Sequence, residues 1–92
     1  MKRDEVLAKA TDATTERGKK YGTPEDNFGR IANLWSAYNG NKYTARDVGI
    51  MMMLLKIARS CESPSYYDHY IDIAGYAAVT VETMEGKNDG DI

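Results

Sequence analysis

The chain has 92 residues, with 12 Lys and Arg against 14 Asp and Glu, and its formal net charge is -2. This balance excludes the strongly basic face of general nucleic-acid binders, so we expect no nucleic-acid partner. Single copies of cysteine and histidine, Cys61 and His69, exclude a disulfide framework and a Cys- or His-rich zinc site.

Length and hydropathy also limit where and how the protein acts. No apolar run approaches the roughly 20 residues that span a bilayer, so we expect a cytoplasmic protein with no membrane partner. A domain this small buries only roughly 60 to 65% of its unfolded surface. Association with copies of itself would supplement a thin core, and we therefore predict a homo-oligomer.

The apolar spacing predicts four helices and no strand, hence an all-α fold in one compact bundle over residues 1–85. Residues 86–92 are polar and predict a disordered tail. The first helix is expected from about Asp4 to Arg17, where Gly18 ends it.

The second helix is expected to begin after Thr23-Pro24, a pair that cannot continue the first helix. Asp26 or Asn27 is the expected N-cap, and Gly40 the expected end. The apolar face of this helix comprises Phe28, Ile31, Ala32, Trp35 and Tyr38.

A capping-box variant, Thr44-Ala-Arg-Asp47, predicts the start of the third helix, and Ser60 to Ser65 the loop after it. Apolar residues almost encircle this helix, which predicts burial on most sides, in the centre of the bundle or at a subunit interface. The last helix follows the stripe Tyr67, Tyr70, Ile71, Ala74, Ala77, Ala78, Val81 and Met84.

The segment from Arg17 to Phe28 is predicted to be a functional loop. Gly18 and Gly22 permit unusual backbone conformations. Positive charge beside the start of the next helix comes from Arg17, Lys19 and Lys20. This combination suits an anion such as phosphate, although the spacing is not that of a nucleoside triphosphatase phosphate loop. The alternative is a solvated turn whose charges only keep the protein soluble.

Other side chains extend the predicted ligand site beyond the loop. Lys56 and Arg59 lie three apart on the most apolar helix, so at least one of them faces something negative. We expect aromatic side chains to stack on a base and short polar ones to read its edge. The predicted ligand-binding set is Lys19, Lys20, Tyr21, Asn27, Arg30, Trp35, Lys56, Arg59 and Asp72.

Asp68 and Asp72 are four residues apart and share one face of the last helix. They either hold a divalent metal ion or pair with Lys56 and Arg59. Internal pairing is the expected use, because an unpaired buried charge costs several kcal/mol.

Five motifs resemble a phage-borne family of small proteins classed as a domain of unknown function, from residue 16 to about residue 78. They are Lys20-Tyr21-Gly22-x-Pro24-x-Asp26-Asn27-Phe28, Ile31-Ala32-x-Leu34-Trp35, Asp47-Val48, Leu55-Lys56-Ile57-Ala58-Arg59 and Asp72-Ile73-Ala74-Gly75-Tyr76. More distantly, the helix order is similar to the all-α nucleoside triphosphate pyrophosphohydrolases of the MazG type. Those enzymes hold magnesium with two acidic pairs on successive helices, and here the helix from Ile50 to Lys56 carries no carboxylate.

The resemblance implies a phage protein that acts in the cytoplasm of a bacterial host. Our preferred hypothesis is a protein that sequesters a nucleotide or a nucleotide-derived immune signal, such as a cyclic dinucleotide or an ADP-ribose derivative, without catalysis or cofactor. One alternative is a magnesium-dependent pyrophosphohydrolase that uses Asp68 and Asp72 with Glu16 or Asp47. Another is an adaptor that binds a host protein through the apolar third helix.

Overall fold

Four α-helices make up the architecture in a computed structural model that describes residues 1–85, and no strand occurs in this range. The helices are α1 (Arg3–Tyr21), α2 (Pro24–Asn39), α3 (Ala45–Glu62) and α4 (Asp68–Thr83). Their Cα radius of gyration is 14.0 Å, which confirms the predicted compact all-α bundle. The tail predicted at 86–92 lies outside the described residues. None of the four helices is long and apolar enough to cross a membrane.

The core lies where α4 meets the other three helices. Val48 of α3 is fully buried, and Phe28 and Ala32 of α2 and Tyr76 and Val79 of α4 pack around it. Partly buried apolar residues surround this cluster: Ile31, Trp35, Tyr43, Ala45, Met52 and Met53. Helix α4 therefore carries most of the cohesion of the bundle, since burial of apolar surface is the main driving force for folding.

Helices α3 and α4 approach each other closely at Gly49. A Cβ atom placed on Gly49 would overlap the hydroxyl group of Thr80, which donates a hydrogen bond to the Tyr76 carbonyl at 2.6 Å. About two turns further along α3, Lys56 Nζ lies 2.9 Å from Asp72 Oδ2 of α4. A glycine contact and an ion pair thus fix the same helix pair at two points.

The predicted loop from Arg17 to Phe28 is wrong. Helix α1 continues through Gly18 to Tyr21, and only Gly22 and Thr23 connect it to α2. A glycine inside a helix costs only about 1 kcal/mol relative to alanine, so Gly18 does not by itself end the helix. The chain turns instead at Gly22, whose φ of 85° is readily reached only by glycine.

The predicted N-cap of α2 is also wrong, because Thr23 takes that position. The Thr23 hydroxyl accepts a hydrogen bond from the Asp26 amide at 3.2 Å. Pro24 occupies the first helical position, where its missing N–H has no partner to lose. Asp26 and Asn27 therefore lie in the first turn of the helix and not before it.

The predicted end of α2 and the predicted start of α3 are both confirmed. Gly40 has the left-handed φ of 80° and donates its amide to the Ser36 carbonyl at 2.9 Å. Thr44 and Asp47 form the reciprocal capping box, with bonds of 3.1 and 2.9 Å. The predicted loop from Ser60 begins too early, because α3 continues to Glu62.

One side of α3 is left uncovered by the other helices. Met51, Leu54, Leu55 and Ile57 are 37%, 56%, 39% and 46% exposed, and we call these four residues the apolar α3 face. The prediction that α3 is buried on most sides is therefore wrong for the single chain. Helices α4 and α2 cover only part of its circumference, and no other described element reaches the rest.

Candidate functional site

A cleft of about 480 Å³ opens between the second half of α1, the start of α2 and the second half of α4. We call it the α1–α2–α4 cleft. The two-residue connection at Gly22 and Thr23 brings α2 back against α1 and so forms one end of it. Its lining comprises Thr14, Thr15, Arg17, Gly18, Gly22, Thr23, Pro24, Asn27, Phe28, Ala78, Val79 and Glu82. The volume is within the usual range for small-molecule sites.

Arg17 supplies the positive charge of the cleft. Its guanidinium carbon lies 4.6 Å from the centre of the Tyr76 ring, and that ring packs in turn on Phe28 at 6.3 Å between centroids. Arg17 is half-buried and Tyr76 is buried, so the guanidinium lies on the face of an aromatic ring that belongs to the core. Within residues 1–85, no carboxylate forms a salt bridge with Arg17. Its N–H groups are therefore free to bind an anionic group in the cleft.

The remaining lining divides into an apolar floor and a polar rim. Pro24, Phe28, Ala78 and Val79 give the apolar contribution. Around them lie the hydroxyls of Thr14, Thr15 and Thr23, the Asn27 amide and the Glu82 carboxylate. Such a cleft suits a ligand with one apolar, flat part and several polar groups at its edge.

The predicted ligand-binding residues are spread over the surface of the bundle. Asn27 lines the cleft. Lys19, Lys20 and Tyr21 form the last turn of α1 beside it, all exposed, and Lys19 pairs with Glu16 at 3.4 Å. These three residues are adjacent to the cleft without belonging to its lining.

Trp35 and Arg30 lie further along α2, outside the cleft lining. Trp35 is half-buried and packs edge-on against Tyr43, with 6.1 Å between ring centroids. Arg30 is exposed, as is Arg59 on α3. The structure therefore does not bring these three side chains together with Asn27 in one cavity.

Lys56 and Asp72 form an ion pair with each other, which is the internal pairing that the sequence predicts. Their side chains are 16% and 24% exposed, so the ion pair is largely shielded from solvent. Asp68, the other predicted metal ligand, is exposed at the start of α4. Across the described residues, no three His, Cys, Asp or Glu side chains are grouped so that they could hold a metal ion.

Two tyrosines outside the cleft have shifted pKa values. The amide of Asn39 donates a hydrogen bond to the Tyr43 hydroxyl at 2.8 Å, and this bond stabilises the phenolate and lowers the pKa of Tyr43. Hydrogen bonding to Asp68, together with its negative charge, raises the pKa of Tyr66. Neither group is placed to act on a molecule in the cleft.

Sequence reasoning missed half of the cleft. Arg17 is one of the three cations of the predicted anion-binding segment, but it is not in the predicted ligand-binding set. Ala78, Val79 and Glu82 carry no local signal, because they reach the cleft only through the packing of α4 on α1. Of the three, only Ala78 belongs to the predicted apolar stripe of the last helix, and that stripe predicts a packed face and no ligand site.

Comparison with known proteins places the chain among phage sequences. The family described as Domain of unknown function (DUF6378) matches residues 5–84. Gene 55 protein of Mycobacterium phage L5 is 47% identical over 75 residues, which cover 80% of this chain and 47% of that protein. Gene 55 protein of Mycobacterium phage D29 is 38% identical over 76 residues, which cover 83% of this chain and 50% of that protein. The chain thus spans about half the length of these curated relatives, and no solved structure matches it.

Proposed function

This chain belongs to the phage-borne DUF6378 family, whose function is unknown, and from that premise we propose that it binds a nucleotide or a nucleotide-derived signal and holds it unchanged. The observation that carries the proposal is the α1–α2–α4 cleft, in which a fixed guanidinium stands beside an apolar floor. A phage could use such a protein to sequester a host immune signal.

The proposed roles follow from the chemistry of the lining. Arg17 neutralises a phosphate, which a planar guanidinium contacts through two parallel N–H groups. Phe28 and Val79 offer apolar surface to a base, and Asn27 hydrogen-bonds a polar edge. Lys19 and Lys20, one turn from the cleft, add a positive field that favours approach of an anion.

The proposal reassigns Lys56 and Asp72 from ligand binding to structure. Each already satisfies the other's charge at 2.9 Å, so recruiting either one to a ligand would break a shielded ion pair. Binding at the cleft needs neither of them and needs no metal ion. In this proposal the phosphates lie at Arg17 in the cleft, whereas the magnesium-dependent pyrophosphohydrolase hypothesis places them at Asp68 and Asp72.

The test is to incubate the full chain with magnesium and a panel of nucleoside triphosphates, cyclic dinucleotides and cyclic ADP-ribose species. The filtrate and the fraction released by heat are then analysed by chromatography. We expect one class of nucleotide to disappear from the filtrate and to be recovered intact after heating. Conversion of a triphosphate to a monophosphate would support the pyrophosphohydrolase instead, and a panel left wholly in the filtrate would refute nucleotide binding.

A pair of variants assigns the binding to the cleft. Arg17→Gln should weaken binding at least tenfold, because Arg17 is the only positively charged residue of the lining within residues 1–85. Arg46→Gln makes the same change of charge at an exposed position on α3 and should leave the affinity unchanged. Equal effects of the two changes would mean that only the net charge of the protein matters.

The apolar α3 face favours a second role, self-association. Pairing of two such faces would bury exposed parts of four large side chains on each copy, worth roughly 5 to 10 kcal/mol in all. This is comparable with the roughly 4 to 15 kcal/mol that association costs, which predicts a weak dimer. The net charge of -2 adds little repulsion.

Light scattering over a range of concentrations tests the dimer. Leu54→Lys should give a monomer at concentrations where the unaltered chain is dimeric. Leu34→Lys, at a residue of α2 that is 63% exposed, is the matched control and should stay dimeric. A chain that is monomeric at every concentration would refute self-association through this face.

A further inference from the structure

The polar rim of the α1–α2–α4 cleft offers more hydrogen-bond acceptors than donors. The hydroxyls of Thr14 and Thr15 both donate their protons to the Thr11 carbonyl, at 2.9 and 3.0 Å. Their oxygens can then only accept a bond from a ligand. The Asn27 amide can donate, and so can the Thr23 hydroxyl, which accepts a bond from the Asp26 amide and keeps its own proton. The other side chains of the rim favour a ligand that brings its own N–H and O–H groups.

Glu82 is the strongest of these acceptors. Among the residues that the structure describes, it is the one carboxylate of the cleft lining, on the last turn of α4, and Arg17 lines the same cleft from α1. The two side chains form no salt bridge with each other in the part of the chain that the structure describes. The cleft thus has a positive group and a separate negative group, which suits a ligand with an anionic part and a donor-rich part.

Among the common bases, guanine matches a carboxylate best. Its ring N–H and exocyclic amino group point the same way side by side, so one carboxylate accepts from both. Adenine and cytosine place an unprotonated ring nitrogen beside the amino group, and that lone pair repels a carboxylate. Uracil has one N–H between two carbonyl oxygens, which also face the negative charge.

We propose that Glu82 makes the cleft selective for a guanine nucleotide, with the phosphate at Arg17 and the base edge at Glu82. This inference rests on the proposed nucleotide-binding function and names the ligand class that the same cleft takes. Because Glu82 is exposed, its bonds compete with water, and we expect discrimination of about tenfold rather than a hundredfold.

Equilibrium dialysis of the full chain against GMP, AMP, CMP and UMP tests the selectivity. The unaltered protein should bind GMP about tenfold more tightly than the other three nucleotides. Glu82→Gln keeps the shape of the side chain but replaces one acceptor with a donor, so it should abolish this preference. Glu25→Gln removes an equal charge at an exposed position beside the cleft and should preserve the preference.

The outcomes separate the two proposals. Equal affinity for the four nucleotides, or a preference for GMP that survives Glu82→Gln, would overturn the guanine assignment and leave nucleotide binding standing. No binding of any of the four, together with a negative result for the larger panel, would overturn the proposed function itself. Loss of the GMP preference in Glu82→Gln with normal circular dichroism would support both.

Discussion

Replacing Gly49 with alanine should destabilise the protein, although alanine favours helices more than glycine does. A Cβ atom at this position would overlap the Thr80 hydroxyl and would lie 2.9 and 3.0 Å from Thr80 Cβ and Cγ2. Rotating the Thr80 side chain would leave its own Cβ atom at 2.9 Å, closer than two such carbon atoms normally approach. Helices α3 and α4 must therefore move apart at the most extensive helix contact in the bundle.

The expected size follows from two opposing effects. Overpacking a buried contact costs about 1 to 3 kcal/mol, and the upper value applies here because three atoms are involved. Exchanging glycine for alanine inside a helix returns about 1 kcal/mol. The free energy of unfolding should fall by about 2 kcal/mol, which lowers the urea midpoint by about 1 to 1.5 M for a protein of this size.

Urea titrations followed by far-ultraviolet circular dichroism would measure this change. Gly29→Ala is the matched control, because Gly29 is also helical and a Cβ there would meet no atom within 4 Å. The control should raise the midpoint by about 0.5 M through helix propensity alone. Thr80→Gly, combined with Gly49→Ala, should recover most of the loss. A Gly49→Ala protein that is as stable as the Gly29→Ala protein would refute the close approach of α3 and α4.

Three further changes test other parts of the structure. Thr44→Ala removes the capping hydroxyl of α3 and should lower the free energy of unfolding by about 1 kcal/mol in urea titrations; no loss would contradict the capping box. Asp72→Asn leaves the Lys56 charge without its partner and should cost about 1 to 2 kcal/mol, less than for a fully buried pair. Lys56→Met with Asp72→Leu should restore part of that loss, and additive losses would show that the two residues do not interact. Asn39→Ala removes the hydrogen bond that holds the pKa of Tyr43 below its ordinary value. Ultraviolet titration should then show this tyrosine ionising at a higher pH, and an unchanged curve would argue against the bond.

Local signals in the sequence predicted most of the helix boundaries, while tertiary packing decided the remainder. Gly40 and the box from Thr44 to Asp47 act within a few residues, so their roles could be read directly. Gly18 was misjudged because a glycine ends a helix only where the chain adopts a positive φ, and Gly22 does so instead. Pro24, two residues after Gly22, is the signal that distinguishes the two glycines, since a proline shortly after a glycine is typical of a helix end.

The lining of the candidate site was harder to predict from the sequence, because residues that are far apart in the chain form it. Arg17 and Glu82 line one cleft although 64 residues separate them in the chain, and no periodicity links them. The ion pair between Lys56 and Asp72 was foreseen because both residues lie on strongly apolar helices, where opposite charges must pair. The expectation that buried opposite charges pair therefore identified Lys56 and Asp72. No comparable expectation identifies Arg17 and Glu82 from the sequence.

The packing of Trp35 against Tyr43 determines what the intrinsic fluorescence of this protein reports. Trp35 is the single tryptophan, and it lies seven residues, or about 10 Å, along α2 from the Phe28 end of the cleft. The Trp35 emission will therefore change when α2 separates from the connection between α2 and α3, which carries Tyr43. A ligand in the cleft will not touch Trp35 and so will not quench its emission by contact. A shift of the Trp35 emission on adding a nucleotide would mean that ligand binding in the cleft moves α2 as a whole. A fluorescence titration would therefore report the movement of α2, and not directly the fraction of clefts that hold a ligand.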